Sequence, residues 1–283
     1  MSREHVADLA GVSVGRTRPV AIMGVINVSP ESFHAGSVRR PADVLATALT
    51  MVEAGAALID IGARSTAPYL ETEITEGEEA ARLGRAIERL AAKLPVPISA
   101  DTCRPEPARV ALEAGARVIN DVSTLRDPAV ARLVAQHAAS LVLMAAGTLW
   151  RPSSTPVVAI RKILAEGLRR ARAAAIPLRR IVVDPGIGFF RDVGMPWHEW
   201  DTRVLVGLGQ LRSLARPICV GVSRKSFIGA ILERAETGDR LAGSLAATAI
   251  AVVNGAAVIR THDVAETHDA VRVAERLRRE VAR

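Results

Sequence analysis

The sequence predicts an α/β fold of the (β/α)8, or TIM, barrel type with a short N-terminal lead-in. Three observations predict it. Eight short runs rich in β-branched residues alternate with amphipathic helical runs. The length, 283 residues, is close to the ~250 that one such barrel needs. Polar residues stand at the end of nearly every strand, where this fold builds its chemistry.

The strands read as Val20–Val28, Leu58–Ala63, Pro97–Asp101, Val118–Val122, Leu141–Ala145, Ile181–Asp184, Ile218–Val222 and Val258–His262. The helical patterns between and after them are Ala42–Glu53, Glu78–Leu94, Pro105–Ala114, Pro128–His137, Val157–Ala175, Trp200–Leu214, Leu241–Val253 and Ala265–Glu280. Strand–helix alternation implies parallel strands joined by right-handed crossovers. A doubly wound open sheet ranks second, because no glycine-rich dinucleotide turn follows the first strand. Three helices end in a glycine before an alanine, at Gly55, Gly115 and Gly255. Each is placed to cap its helix with a left-handed residue. Residues Met1 to Pro19 form the lead-in, with a short hairpin expected to plug the barrel base. No low-complexity linker interrupts the chain, so residues 1–283 are read as one domain.

Composition excludes several function classes. Aromatic residues are 3% of the chain, too few for base stacking on nucleic acid. The formal net charge is +7 and the pI about 10.5, but the excess arginine is spread along helical stretches such as Leu168–Arg180 and Val271–Arg283. That pattern reads as solvated helix faces, without a nucleic-acid recognition element. No apolar run approaches the ~20 residues of a membrane span. Two cysteines, Cys103 and Cys219, suit a reducing cytoplasm and have no partner at metal-ligand spacing. The N-terminus lacks a signal-peptide layout, which gives a cytoplasmic expectation.

The strand ends carry the chemistry. They offer Asn27, then Arg64-Ser65-Thr66, Asp101-Thr102, Asn120-Asp121, Met144, Asp184-Pro185-Gly186, Ser223-Arg224-Lys225 and Arg260-Thr261-His262-Asp263. Asp101, Asn120, Asp184 and Lys225 can converge on one flat ligand. Two carboxylates and an amide suit a ring with several N–H donors, such as the guanidine-like edge of a pterin. Arg260 and His262, with Asn27 and Thr66 across the barrel, form a second, anion-binding set, since arginine offers a fork to phosphate oxygens. An asparagine together with a diphosphate can hold Mg2+, which takes few protein ligands. Taken singly, Asp184-Pro185-Gly186 is also an ordinary turn, and Asp101 and Asp121 also read as helix N-caps. His34 lies in the first active-side loop; the other histidines away from the strand ends read as surface residues.

Six segments in order resemble the dihydropteroate synthase family. They are Met23–Phe33 (MGVINVSPESF), Ile98–Thr102 (ISADT), Ile119–Val122 (INDV), Asp184–Phe189 (DPGIGF), Gly221–Gly229 (GVSRKSFIG) and Arg260–Val264 (RTHDV). The resemblance runs from Met23 to the C-terminus. It implies a TIM barrel, usually dimeric, that joins 6-hydroxymethyl-7,8-dihydropterin diphosphate to p-aminobenzoate and releases diphosphate. It implies further that Asp101, Asn120, Met144, Asp184, Lys225 and Arg260 bind the pterin. Asn27, Thr66, Arg260 and His262 would take the diphosphate, with Mg2+ on Asn27. Ser223, Thr66, Phe33 and Pro68 would shape the arylamine site. Asp101, Lys225 and Arg260 are the expected catalytic residues.

Two loops depart from the family pattern. The first reads Glu31-Ser32-Phe33-His34-Ala35-Gly36-Ser37 where the family continues Asp-Ser-Phe-Ser-Asp-Gly-Gly. The second reads Arg64-Ser65-Thr66-Ala67-Pro68-Tyr69 where the family has Glu-Ser-Thr-Arg-Pro-Gly. Strand five has Ala145 where the family has histidine after methionine. An acidic residue and an arginine that would pair between the loops are thus lost together. Four alternatives follow: a different arylamine, such as a ribosylated aminobenzene served by His34, Arg64 and Tyr69; a pterin-dependent methyltransferase; an aldolase or isomerase using Lys225 as a Schiff base; and a non-catalytic pterin-binding relic.

Overall fold

The computed structural model describes residues 5–29, 43–65, 74–147 and 155–281. A two-stranded antiparallel hairpin, β1 (Ala7–Leu9) and β2 (Val12–Val14), comes first. Eight parallel strands follow: β3 (Ala21–Asn27), β4 (Leu58–Gly62), β5 (Ile98–Asp101), β6 (Val118–Asp121), β7 (Ser140–Met144), β8 (Ile181–Asp184), β9 (Cys219–Gly221) and β10 (Val258–Thr261). They are ordered β8-β7-β6-β5-β4-β3-β10-β9. The ring closes between β8 and β9 through a parallel bridge, Val183 to Ile218, with Val183 N–H donating to Pro217 O at 3.0 Å. The expected eight-stranded barrel is present.

Strand parity divides the core. Ile22, Ile26, Ile59, Ile61, Ala100, Ile119, Leu141, Leu143, Ile181, Val183, Val220 and Ile259 face outward and pack under the helices. Ala21, Met23, Leu58, Val118, Val142, Val182, Cys219 and Val258 face inward at the strand starts, where Ala7, Leu9 and Val14 of the hairpin pack on them. The lead-in plugs the barrel base as predicted. Ser140 Oγ fastens it, donating to Asp8 O at 2.8 Å and accepting from Ala10 N at 3.2 Å.

The helices are α1 (Val44–Glu53), α2 (Glu76–Ala91), α3 (Pro105–Ala114), α4 (Pro128–Gln136), α5 (Pro156–Ala173), α6 (Trp197–Val206), α7 (Ser226–Leu232), α8 (Leu241–Val253) and α9 (Val264–Val281). Their starts follow sequence signals. Thr75 Oγ1 caps α2 by accepting from Glu78 N at 3.1 Å, Asp127 caps α4, and proline opens α3, α4 and α5. The three cap glycines take positive φ, +103° at Gly55, +120° at Gly115 and +109° at Gly255.

Three expectations need correction. The run Trp200–Leu214 is not one helix: α6 ends at Val206 and Leu208–Leu214 continues as a 3-10 helix. A further helix, α7, stands where no helix was predicted, because a seven-residue apolar segment carries too little periodicity. Asp101 and Asp121 are not helix N-caps. Arg104 is the N-cap residue of α3, while Asp121 accepts from Ser123 N at 2.9 Å and Leu125 N at 2.8 Å to close a turn. Among the described residues no helix is long and apolar enough to cross a membrane.

Candidate active site

The inward parity that starts with Met23, Leu58, Val118 and Val182 at the base ends in polar residues at the rim. Asn27, Asp101, Asn120, Asp184 and Arg260 all share it, because side chains alternate along a strand. Asn27, Gly62, Asp101 and Asn120 stand in one register row across β3 to β6. Met144 pairs with Asp184 between β7 and β8. Residues spread through the chain therefore meet at one barrel mouth.

Arg260 organises that mouth. Its Nε donates to Asp60 Oδ2 and its Nη2 to Asp101 Oδ2, both at 2.7 Å. Asn120 Nδ2 donates to the same Asp60 oxygen at 3.2 Å. Asp60 is fully buried and Asp101 nearly so. Burial works against the Arg260 charge, but Asp60 and Asp101 outweigh it and hold the guanidinium pKa above its ordinary value. Burial pushes the Asp101 carboxyl up to about 7; Arg260 offsets part of this and Asp60 reinforces it. Asp60 Oδ1 and Asp101 Oδ1 are buried and have no hydrogen-bond partner among the described residues. Buried acceptors left without donors are costly. Here they line a mouth that a ligand carrying N–H groups can complete.

Asp184 serves the turn and the mouth at once. Its Oδ1 accepts from Gly186 N at 2.7 Å, as the turn reading of Asp184-Pro185-Gly186 expected. Burial raises its pKa; Lys225, the Gly186 N–H and Arg260 oppose that rise. Lys225 follows β9, donates to Ile187 O, and lies 4.7 Å from the Phe189 ring centroid. Burial lowers its pKa to about 8, against the attraction of Asp184 and Asp201.

The anion-binding candidates lie beside this cluster. His262 comes just after β10, and its Nδ1 is 3.0 Å from Ser223 Oγ. Ser223 is held by the turn after β9, where Arg224 adopts φ +55°. The Arg224 guanidinium forks onto Asp263, with Nε–Oδ2 at 2.9 Å and Nη2–Oδ1 at 2.7 Å. The Ser223-Arg224-Lys225 segment is thereby locked to Asp263, just past His262, so Ser223 and His262 share one fixed corner. Thr66, Phe33 and Pro68, with His34 and Tyr69, lie outside the described residues.

Arg64 is committed elsewhere. Its Nε meets Glu79 Oε2 at 3.1 Å and its Nη2 is 3.8 Å from Cys103 Sγ. Burial pushes the Cys103 thiol up to about 11, and the Cys219 thiol rises for the same reason. Neither is activated as a thiolate.

Sequence reasoning missed Asp60, Glu79 and Asp201. Asp60 had a usable signal: a charge at inward parity within Leu58-Ile59-Asp60-Ile61-Gly62. Glu79 is buried and gathers Arg64, Arg104 Nη1 at 3.2 Å and Thr102 Oγ1 at 2.6 Å. Its position in a helix rich in glutamate hid it. Asp201 accepts from Gly188 N at 2.9 Å, and burial pushes its pKa up to about 6.

Three comparisons agree with this geometry. The pterin binding enzyme family model matches residues 23–262. Dihydropteroate synthase of Escherichia coli (strain K12) is 34% identical over 272 residues, covering 94% of both chains. The structure of Xanthomonas albilineans dihydropteroate synthase with 4-aminobenzoic acid superposes with a TM-score of 0.85 at 36% identity, covering 97% of this chain and 98% of that one. The same enzyme in complex with 7,8-dihydropteroate gives 0.82 at 35% identity, covering 96% and 98%. The chain belongs to the dihydropteroate synthase family of pterin binding enzymes.

Proposed function

We propose that this chain condenses 6-hydroxymethyl-7,8-dihydropterin diphosphate with p-aminobenzoate and releases diphosphate. The observation that carries the reading is the pair of buried, unpartnered oxygens of Asp60 and Asp101 beside Arg260, Asn120, Asp184 and Lys225. A pterin edge presents N–H donors in one plane, and carboxylates accept them.

In this reading Asp101, Asn120 and Asp184 grip the ring edge, with Met144 against its plane. Lys225 donates to a ring carbonyl or nitrogen. Arg260 stacks on the ring; its Nη1 makes no hydrogen bond among the described residues and is available toward phosphate. His262 and Asn27 face the diphosphate, and Ser223 borders the arylamine. The bond from the exocyclic CH2 to the diphosphate oxygen breaks, and the electron pair leaves with the diphosphate. The amine nitrogen then forms the new C–N bond and loses its proton. No side-chain nucleophile is needed, so positioning and preorganised charge supply most of the rate.

Mg2+ is part of the proposal. Among the described residues no group of three His, Cys, Asp or Glu could hold a metal. The oxygen of Asn27 fits the one or two protein ligands that Mg2+ takes when phosphate and water fill its remaining positions. When bound there, the ion neutralises charge on the departing diphosphate.

The arylamine is read as p-aminobenzoate. A ribosylated amine rested on His34, Arg64 and Tyr69, and Arg64 is held by buried Glu79. A homodimer remains the family-based expectation. Its candidate face carries Ile231 and Leu232 of α7 and Ile250 of α8, exposed by 56%, 43% and 47%. A cytoplasmic setting also remains part of the proposal.

The test is to mix the protein with pterin diphosphate, Mg2+ and each amine in turn. One dihydropteroate per diphosphate, with preference for p-aminobenzoate, is the expected result. Preference for the ribosylated amine would assign the altered loops to a different second substrate. No diphosphate release would leave the relic reading.

A further inference from the structure

The end of the barrel away from the mouth holds a second concave site. A cavity of about 420 Å3 opens where β9 and β10 begin, beside the lead-in. His5, Arg16 and Thr17 line it from the lead-in, Arg212, Ser213, Arg216, Pro217 and Ile218 from the approach to β9, and Gly255 and Ala257 from the approach to β10. Its volume falls within the ~300–1,000 Å3 of small-molecule sites.

Among the described residues its charge is uncompensated. Three guanidinium groups line the cavity and no carboxylate does, among the described residues. Neither Arg16 nor Arg212 has an ion pair with a described residue. Burial lowers the Arg212 pKa and the charge of Arg16 lowers it further. Arg278 feels both of them and, among the described residues, is answered by Glu275 at 3.8 Å. Arg216 is the most constrained member. Its Nη1 donates to Leu178 O, while its buried Nε–H has no acceptor among the described residues.

Helix C-termini lie at this end of the barrel and favour cations. That explains Arg278, which donates to Val252 O and Ala256 O; the Leu178 carbonyl that holds one edge of Arg216 is not at a helix C-terminus. That preference does not explain Arg16 and Arg212, which donate to no carbonyl among the described residues, or the orphaned Nε–H.

We propose that this cavity is a binding site for a small phosphorylated metabolite. The phosphates would bridge Arg16, Arg212 and Arg216, since guanidinium forks match phosphate oxygens. The carbon skeleton would lie on Pro217, Ile218 and Ala257. An anion there relieves the mutual repulsion of the arginines and supplies the missing acceptor. The site is separate from the barrel mouth, so it stands whether or not the proposed reaction is correct.

The test is calorimetric titration of the full chain with adenosine diphosphate and, separately, inorganic phosphate. Three proteins are compared: the native sequence, the double variant R16Q/R212Q and the mouth variant K225M. Arg16 and Arg212 are solvent-exposed, so the double variant should keep its thermal midpoint and its synthase turnover. Saturable adenosine diphosphate binding is expected, weakened at least ~10-fold in R16Q/R212Q and unchanged in K225M. Inorganic phosphate should bind the same site more weakly, lacking the skeleton. Binding that is absent, unchanged in R16Q/R212Q, or lost only in K225M would overturn the proposal.

Discussion

Arg260 Nη2 lies 2.7 Å from Asp101 Oδ2, an ion pair across 159 residues of sequence. The same guanidinium reaches Asp60 with its Nε. One cation therefore compensates two buried carboxylates, and each carboxylate keeps one oxygen for a ligand. Burying an ion pair gains little over apolar packing, whereas removing one partner from it is severe.

Replacing Arg260 should accordingly destabilise the fold as well as the reaction. Arg260→Met leaves two carboxylates in the barrel without their cation, an expected loss of ~3–5 kcal/mol at neutral pH. Arg260→Lys cannot span both carboxylates as a fork and should recover only part of it. Denaturant unfolding of both variants, with the pterin KM, checks this. An unchanged unfolding midpoint in Arg260→Met would contradict it.

Asp101 gives the unliganded protein a pH signature. Its folded pKa of about 7 lies above its ordinary value of 3.8. Between those limits the folded chain keeps a proton that the unfolded chain gives up. Stability must then fall as pH rises from about 4 to about 7, by at most ~1.4 kcal/mol per pH unit, and level off above. Asp101→Asn should remove this slope. Parallel unfolding curves at pH 5 and 7.5 for the two proteins decide it.

Gly186 should not tolerate a side chain. Its φ is +71°, and a Cβ there would stand 2.4 Å from Ala145 O. Gly186 N–H also fixes Asp184. Gly186→Ala should cost ~1–3 kcal/mol and raise the pterin KM more than it lowers kcat, because it displaces the Asp184 carboxylate that the proposal places on the pterin. Steady-state kinetics with a melting curve separates the two effects.

Lys225 should act as a hydrogen-bond donor and not as a nucleophile. It is half-buried and tied to Ile187 O. Lys225→Met fits the same slot, so the fold should persist while the pterin KM rises ~10-fold or more. Borohydride added with a carbonyl compound should leave the native protein unmodified. A trapped adduct on Lys225 would restore the Schiff-base alternative.

The barrel was legible because its signals are local. Runs such as Ile181-Val182-Val183 and the cap glycines Gly55, Gly115 and Gly255 each act within a few residues. The hairpin and its place at the barrel base were legible too, but not its packing partners Met23, Val118 and Cys219, which lie far along the chain. Asp101, Asn120, Asp184 and Arg260 could be read because they stand at strand ends or one residue before them. Asp60 sits two residues below Gly62, the last residue of its strand, so a reading of strand ends passes over it. Asp201 and Glu79 stand in helices, where an acidic residue ordinarily reads as surface. Their burial depends on packing against Gly188 and on Arg64, Arg104 and Thr102, which no local pattern encodes.

The most direct measurement is a crystal structure of this chain soaked with the pterin diphosphate and Mg2+. The account places the ring edge against Asp101, Asn120 and Asp184, with Lys225 on a ring heteroatom and the phosphates toward His262 and Asn27. A ring bound away from Asp101 and Asp184, or phosphates on the far side from His262, would contradict it.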